Sequence, residues 1–137
     1  MPRARDYVSL SSDAAFAVSG NLRILAWNRT AERIFGSSAD DAVGRRCCDV
    51  VSAQMPNGEP LCGPDCHGGI CFNTGTPFTI DNCLVQGAGQ NAMRVRISSL
   101  IVPDAAPADE SRTRALVFMH RLDGAHPQQP MPQPLHI

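Results

Sequence analysis

Apolar and polar residues alternate near both ends of this chain and cluster at helical spacing between them. Asp13 to Ser19 (DAAFAVS) alternates weakly apolar residues and stops at Gly20-Asn21, and Leu22 to Trp27 (LRILAW) resumes the alternation. Two period-two runs around a Gly-Asn turn predict a β-hairpin. Asn28 follows as a helix cap, because its side-chain oxygen accepts the free N–H groups of a first turn. Glu32 adds a carboxylate near that positive end, Ala31, Ile34 and Phe35 supply an apolar face, and Gly36 ends the helix.

Ser37 or Ser38 caps a second short helix through Val43, with Asp40 and Asp41 in its first turn and Gly44 at its end. A third short helical piece is expected from Arg45 to Ser52. Residues 53 to 69 are dense in Gly, Pro, Asn and Asp and read as an irregular loop, with a helical turn from about Cys66 to Thr74. Three strands follow: Phe78 to Val85, Ala92 to Val102 and Arg114 to Arg121. A polar loop, Pro103 to Arg112, joins the last two, and from Gly124 onward the Pro/Gln-rich sequence predicts a flexible tail or linker. Two strands, several short helices, a loop and three strands predict an α+β layer, with the helices on one face of an antiparallel sheet.

Composition narrows the classes. The chain has 137 residues, 43% of them hydrophobic, enough for one domain with a buried core. A net charge of −1 offers no basic face for direct nucleic-acid or anionic membrane binding. No apolar run approaches a membrane span and no signal-peptide pattern opens the chain, so a cytoplasmic location is expected. All 12 basic residues are Arg, which fits a bacterial coding bias. In a reducing compartment six cysteines point to metal ligands, redox thiols or small buried residues before they point to a disulfide framework.

Residues 21 to 44 (NLRILAWNRTAERIFGSSADDAVG) resemble the PAS domain family. The family pattern is an apolar strand ending in Trp-Asn, then Ala-Glu, an aromatic and Gly, a polar stretch and a second Gly. Here these fall on Trp27, Asn28, Ala31, Glu32, Phe35, Gly36 and Gly44. The resemblance implies a five-stranded antiparallel sheet cupping a cavity beneath short helices, over about residues 13–123, between an N-terminal extension (1–12) and the tail (124–137). Trp27, Asn28 and Phe35 are then the cavity and scaffold candidates. Family members hold haem, flavin, a small metabolite or nothing, and signal through dimerisation and flanking helices.

The middle of the chain is similar to a subset of bacterial PAS domains in which a helix Cys precedes a Gly/Pro loop carrying Pro-Leu-Cys and a further Cys. Pro60-Leu61-Cys62-Gly63-Pro64-Asp65-Cys66, preceded by Cys47-Cys48, carries that likeness. Such modules are often coupled to a kinase or DNA-binding output domain, so a homodimer acting on such a domain or on a partner protein is expected.

Cys47, Cys48, Cys62, Cys66 and Cys71, with His67, lie within 25 residues. Thiolates on a shared flexible loop converge on Zn²⁺ or an iron–sulfur cluster. The Cys-x3-Cys and Cys-x4-Cys spacings are looser than a zinc knuckle, which leaves thiol redox chemistry, a disulfide and plain packing as the competing readings. Cys83, inside a strand, reads as core. Zinc or an iron–sulfur cluster ranks ahead of haem and flavin. His67 stands near the place of the family's haem ligand, but in a Gly-rich loop. Gly44-Arg45-Arg46-Cys47 resembles the flavin photoreceptor subgroup, yet Arg46 replaces an Asn, and Cys48 and Val51 replace an Arg and a Gln that hold the flavin.

Gly87-Ala88-Gly89 is followed by no helix and reads as a hairpin turn rather than a phosphate loop. Arg94 and Arg96 share a strand face, and His120 sits on another strand. No nucleophile–base pair or acid–base pair is legible, so no enzyme is expected. The expected function is a PAS-type sensory module that binds a small ligand, metal or redox signal and relays it by dimerisation or through an output partner. The alternative is a ligand-free docking module of the same fold.

Overall fold

The computed structural model describes residues 3–61, 67–103, 112–122 and 129–130. A 3-10 helix (Ala4–Leu10) leads into strands β1 (Ala14–Val18) and β2 (Ile24–Trp27). Helices α1 (Arg29–Phe35), α2 (Ala39–Ala42) and α3 (Cys47–Val50) follow, then a short strand β3 (Ala53–Gln54) and helix α4 (His67–Thr74). Strands β4 (Thr79–Gln86), β5 (Asn91–Ile101), β6 (Ala115–Arg121) and β7 (Gln129–Pro130) are the remaining elements among the described residues. No helix among the described residues is long and apolar enough to cross a membrane.

The strands form one antiparallel sheet in the order β2-β1-β6-β5-β4-β3, with β7 paired to the start of β5. The five strands expected from patterning are its body. The two-residue strands β3 and β7 are additional, being too short to carry a period-two signal. β2 lies at one edge and β3 at the other, so α1, α2 and α3 lie on the path that carries the chain across one face. That face holds the main core, in which Phe16, Ile24, Trp27, Phe35, Phe72, Val85, Met93, Val95 and Val117 are buried together. Trp27 packs between Phe16 and Phe35, with ring centroids 5.5 and 5.4 Å away, and its Nε1 donates to the Ser37 carbonyl at 2.9 Å.

The opposite face of β1 is also covered. Ala15, Ala17 and Leu116 form a smaller cluster with Val8 of the 3-10 helix, so all five residues of β1 are buried. The fastening of that helix is the side chain of Asn28. Its Oδ1 accepts from Ala31 N–H (2.9 Å), the expected helix cap, and also from Ala15 N–H (3.1 Å). Its Nδ2 donates to the carbonyls of Val8 (2.9 Å), Asp13 (2.8 Å) and, at longer range, Ser11 (3.4 Å). One buried amide thus joins the N-terminal segment, β1 and α1.

Two β-bulges change the faces that simple alternation assigns. Val18 pairs with Ile24 but Ala17 with Ala26, so Leu25 is the extra residue and both Ile24 and Trp27 reach the core. A second irregularity between Ile80 and Cys83 likewise puts both of those residues on the core side. An inserted residue restores an inward direction that a strict period of two would lose. At the β1–β2 turn, Leu22 adopts a left-handed φ of 67° while its side chain is buried. That conformation costs a non-glycine residue about 1–2 kcal/mol, which the burial offsets.

Glu32 has a role its position near the start of α1 did not announce. Its Oε2 accepts from Ala39 N–H at 2.7 Å, while Ser38 caps the same helix through Asp41 N–H. Two of the free donors at the start of α2 are therefore met, which helps a four-residue helix form. Replacing Asn28 with Ala should destabilise the domain by about 2–4 kcal/mol, because buried N–H and carbonyl groups on three segments lose their partner. Asn28→Asp keeps the acceptor but turns a carboxylate oxygen towards the Val8 and Asp13 carbonyls, so it should cost at least as much. Urea unfolding measures both, and a cost for Asn28→Ala no larger than that of an ordinary helix cap would contradict the joining role.

Candidate functional site

The residues singled out by sequence do not converge on one point among those described. Trp27 is enclosed by aromatic rings and Asn28 by main chain, so both serve the scaffold. Phe35 is buried at the end of α1 and has an edge on an open cleft. Cys47 and Cys48 are half-buried on α3. Cys47 packs against the main core, and the Cys48 Sγ lies 3.9 Å from the Asp49 carboxylate. Cys71 is buried on α4, and Cys83 is fully buried with its Sγ 3.6 Å from the Val95 carbonyl, a core residue as expected. Cys62 and Cys66 lie outside the described residues, as does the side chain of His67, whose backbone opens α4. Among the described residues no group of three or more His, Cys, Asp or Glu side chains is placed to hold a metal ion.

α4 is fixed to the sheet at its C-terminal end. Gly75 takes a left-handed φ of 75°, Thr76 N–H bonds to the Cys71 carbonyl at 2.8 Å, and Gly75 N–H bonds to Phe72 at 3.3 Å. This double closure is how glycine ends a helix. Arg114 adds a cation to the negative helix end: its Nε donates to the Phe72 carbonyl at 2.6 Å and its Nη1 to Val102 at 3.3 Å. The Arg114 backbone meanwhile donates to Val18 and accepts from Val102, so this buried residue touches α4, β1 and the end of β5. Sequence patterning treated Arg114 only as the first residue of a strand.

The cleft is about 480 Å³, within the range of small-molecule sites. Three separated stretches wall it: Phe35 and Gly36 at the end of α1; Asp49 and Val50 on α3, with Ser52 just beyond; and Gln86 with residues 87–89 at the β4–β5 turn. Gly87 N–H bonds to the Asn91 carbonyl at 2.7 Å, which closes the turn as a hairpin. A side chain at Gly87 would meet the Met93 methyl at 2.8 Å and the Ile34 carbonyl at 3.2 Å. The turn is therefore pressed onto the end of α1, and its backbone forms one wall. Sequence identified that turn correctly but gave no sign that it faces α3.

Residues 5–60 match the family described as PAS fold. The PAS domain of nitrogen regulation protein NR(II) from Vibrio parahaemolyticus superposes with a TM-score of 0.59 at 15% identity, covering 89% of this chain and all of that one. The PAS domain of an HTR-like protein from Haloarcula marismortui gives 0.62 at 12% identity, over 86% and 88% of the two chains. A PAS domain from a two-component sensor histidine kinase gives 0.56 at 13% identity, over 87% and 93%. No curated protein matches the chain. The chain folds as a PAS domain, the expectation raised by residues 21 to 44. PAS domains are in general sensory and signalling modules.

Two expectations follow. Arg114→Met should loosen α4 and cost about 2–4 kcal/mol in unfolding free energy, with Arg114→Lys recovering only part because an ammonium cannot span both carbonyls. Unfolding unchanged by Arg114→Met would remove the fastening role. In native protein, Cys48 should react with a thiol reagent well before Cys71 and Cys83, in the order of their exposure. Mass mapping of the labelled sites checks this, and early labelling of Cys83 would contradict the core placement.

Proposed function

We propose that this chain is a regulatory input module without chemistry of its own, which binds a small ligand in the cleft between α1, α3 and the β4–β5 turn. One observation carries the reading: the turn that walls the cleft also starts β5, the longest strand, which pairs with both β4 and β6. A ligand that shifts the turn acts directly on the sheet. The outer face of the sheet is the relay surface, and a second copy of the chain is its partner. Leu100 is 50% exposed there, diagonal in the β5–β6 register to the half-buried Phe118.

Charged pairs frame this apolar area. Asp81 and Arg96 approach to 3.5 Å, and the His120 Nδ1 lies 2.9 Å from Asp13, with Arg96 and His120 opposite each other in the β5–β6 register. The output is a kinase or DNA-binding domain, or a separate partner protein, in a bacterial cytoplasm. The likeness to a PAS domain from a two-component sensor histidine kinase favours the kinase.

A second reading places the input at the thiols. Cys47 and Cys48 are partly open on α3, and the segment bearing Cys62 and Cys66 leads into α4, which carries Cys71. A metal or an oxidant acting there would reach the sheet through Phe72 and Arg114. Elemental analysis and an absorbance spectrum of protein purified without oxygen separate the readings. Stoichiometric zinc, or iron with a broad charge-transfer band, moves the input to the cysteines. A metal-free, colourless protein rules out the metal version.

Sedimentation tests the relay surface. The wild type should form a dimer that Leu100→Arg weakens by about tenfold or more, and at dilutions where both proteins are monomeric their Tm values should agree, because Leu100 is already half exposed in the monomer. A wild type that stays monomeric at its highest soluble concentration rules out the second copy as partner.

A further inference from the structure

We infer that the cleft selects a small organic cation, an ammonium or guanidinium compound with a short apolar body. The inference rests on the reading of the cleft as the input site and names the chemistry that site prefers. Asp49 is the ionisable residue in its lining; no arginine or histidine takes part in the wall. Among the described residues its carboxylate has one hydrogen-bonding neighbour, the adjacent Cys48 thiol at 3.9 Å, and enters no ion pair. Of the two arginines that precede α3, Arg46 enters none of the ion pairs among the described residues, and Arg45 donates to the Asp49 main-chain oxygen at 3.3 Å rather than to the carboxylate.

The rest of the lining suits the body of such a ligand. Phe35 and Val50 offer apolar contact, and Ser52 and Gln86 offer neutral hydrogen-bonding groups. The turn is already closed by its own hydrogen bond and pressed against α1, so little ordering is required on binding. An anionic ligand would have to sit beside a carboxylate that enters no ion pair among the described residues, a repulsion the neutral donors do not offset.

Three probes of similar length separate the charge requirement from simple cleft filling: agmatine (cationic), adipate (anionic) and 1,6-hexanediol (neutral). Amide NMR shifts of Asp49, Ser52, Gly87 and Gly89 in the whole chain report binding. Agmatine should saturate these shifts at concentrations several-fold below those hexanediol needs, with adipate weaker still. Asp49→Asn should weaken agmatine about two- to fivefold, the scale of one exposed charge pair. Ser52→Trp, which fills the cleft from an exposed position, should abolish binding. Adipate or hexanediol binding as well as agmatine would overturn the cation selection and leave the cleft as the input site. Agmatine affinity untouched by Asp49→Asn would overturn it too. If none of the three moves these amides, the cation inference and the cleft reading both fail.

Discussion

The side chain of Asn28 sits where three pieces of chain must meet, and it is the polar group on which their arrangement depends. A buried amide brings one acceptor oxygen and two donor hydrogens out of water, and leaving them unmet would be costly. Here the oxygen serves Ala15 and Ala31 and the nitrogen serves Val8 and Asp13, so the amide is satisfied only if the 3-10 helix, β1 and α1 are all in place. The helix start fixed by Asn28 then sets the direction of α1. That direction brings Phe35 against Trp27 and Ile34 against the β4–β5 turn. The shape of the cleft is therefore set at a residue that does not line it.

The body of the fold was legible because each local signal agreed with its neighbours. Asn28, Ser38 and Gly36 mark helix ends through their own side chain or lack of one, and all three stand where such residues are expected. The five long strands followed from apolar alternation. What could not be read locally was where alternation breaks. The bulge at Leu25 sends Ile24 and Trp27 to the same face, and only the demand of the core for both side chains decides that. Ala53–Gln54 becomes a strand because β4 offers it an edge at Leu84 and Val85, a condition set far along the chain.

The site was less legible than the fold for the same reason. Phe35, Asp49 and the 87–89 turn are separated by long stretches of chain and carry no shared motif, so the cleft exists only after the helices have crossed the sheet. The cysteines had the opposite property. They are conspicuous in sequence because they are close together, yet α3 and α4 turn Cys47 and Cys71 towards packing, and Cys83 lies wholly within the core. Sequence proximity is a weak guide to convergence when short helices separate the residues. Arg114 shows the reverse case: an ordinary strand-start arginine by pattern, it becomes a junction once Phe72 and Val102 present their carbonyls.

β1 has a particular place in the order of synthesis. Both of its faces are apolar, and its neighbour on one side is β6, with Ala14 opposite Met119 and Val18 opposite Ala115. Roughly a hundred residues must leave the ribosome before that partner exists, and closing so long a loop is slow. Until then the first hairpin carries an unpaired, two-sided apolar edge, the kind of surface on which nascent chains aggregate. The strand that completes the centre of the sheet is made after the other four strands of its body, so this small domain has a long period of vulnerability for its size.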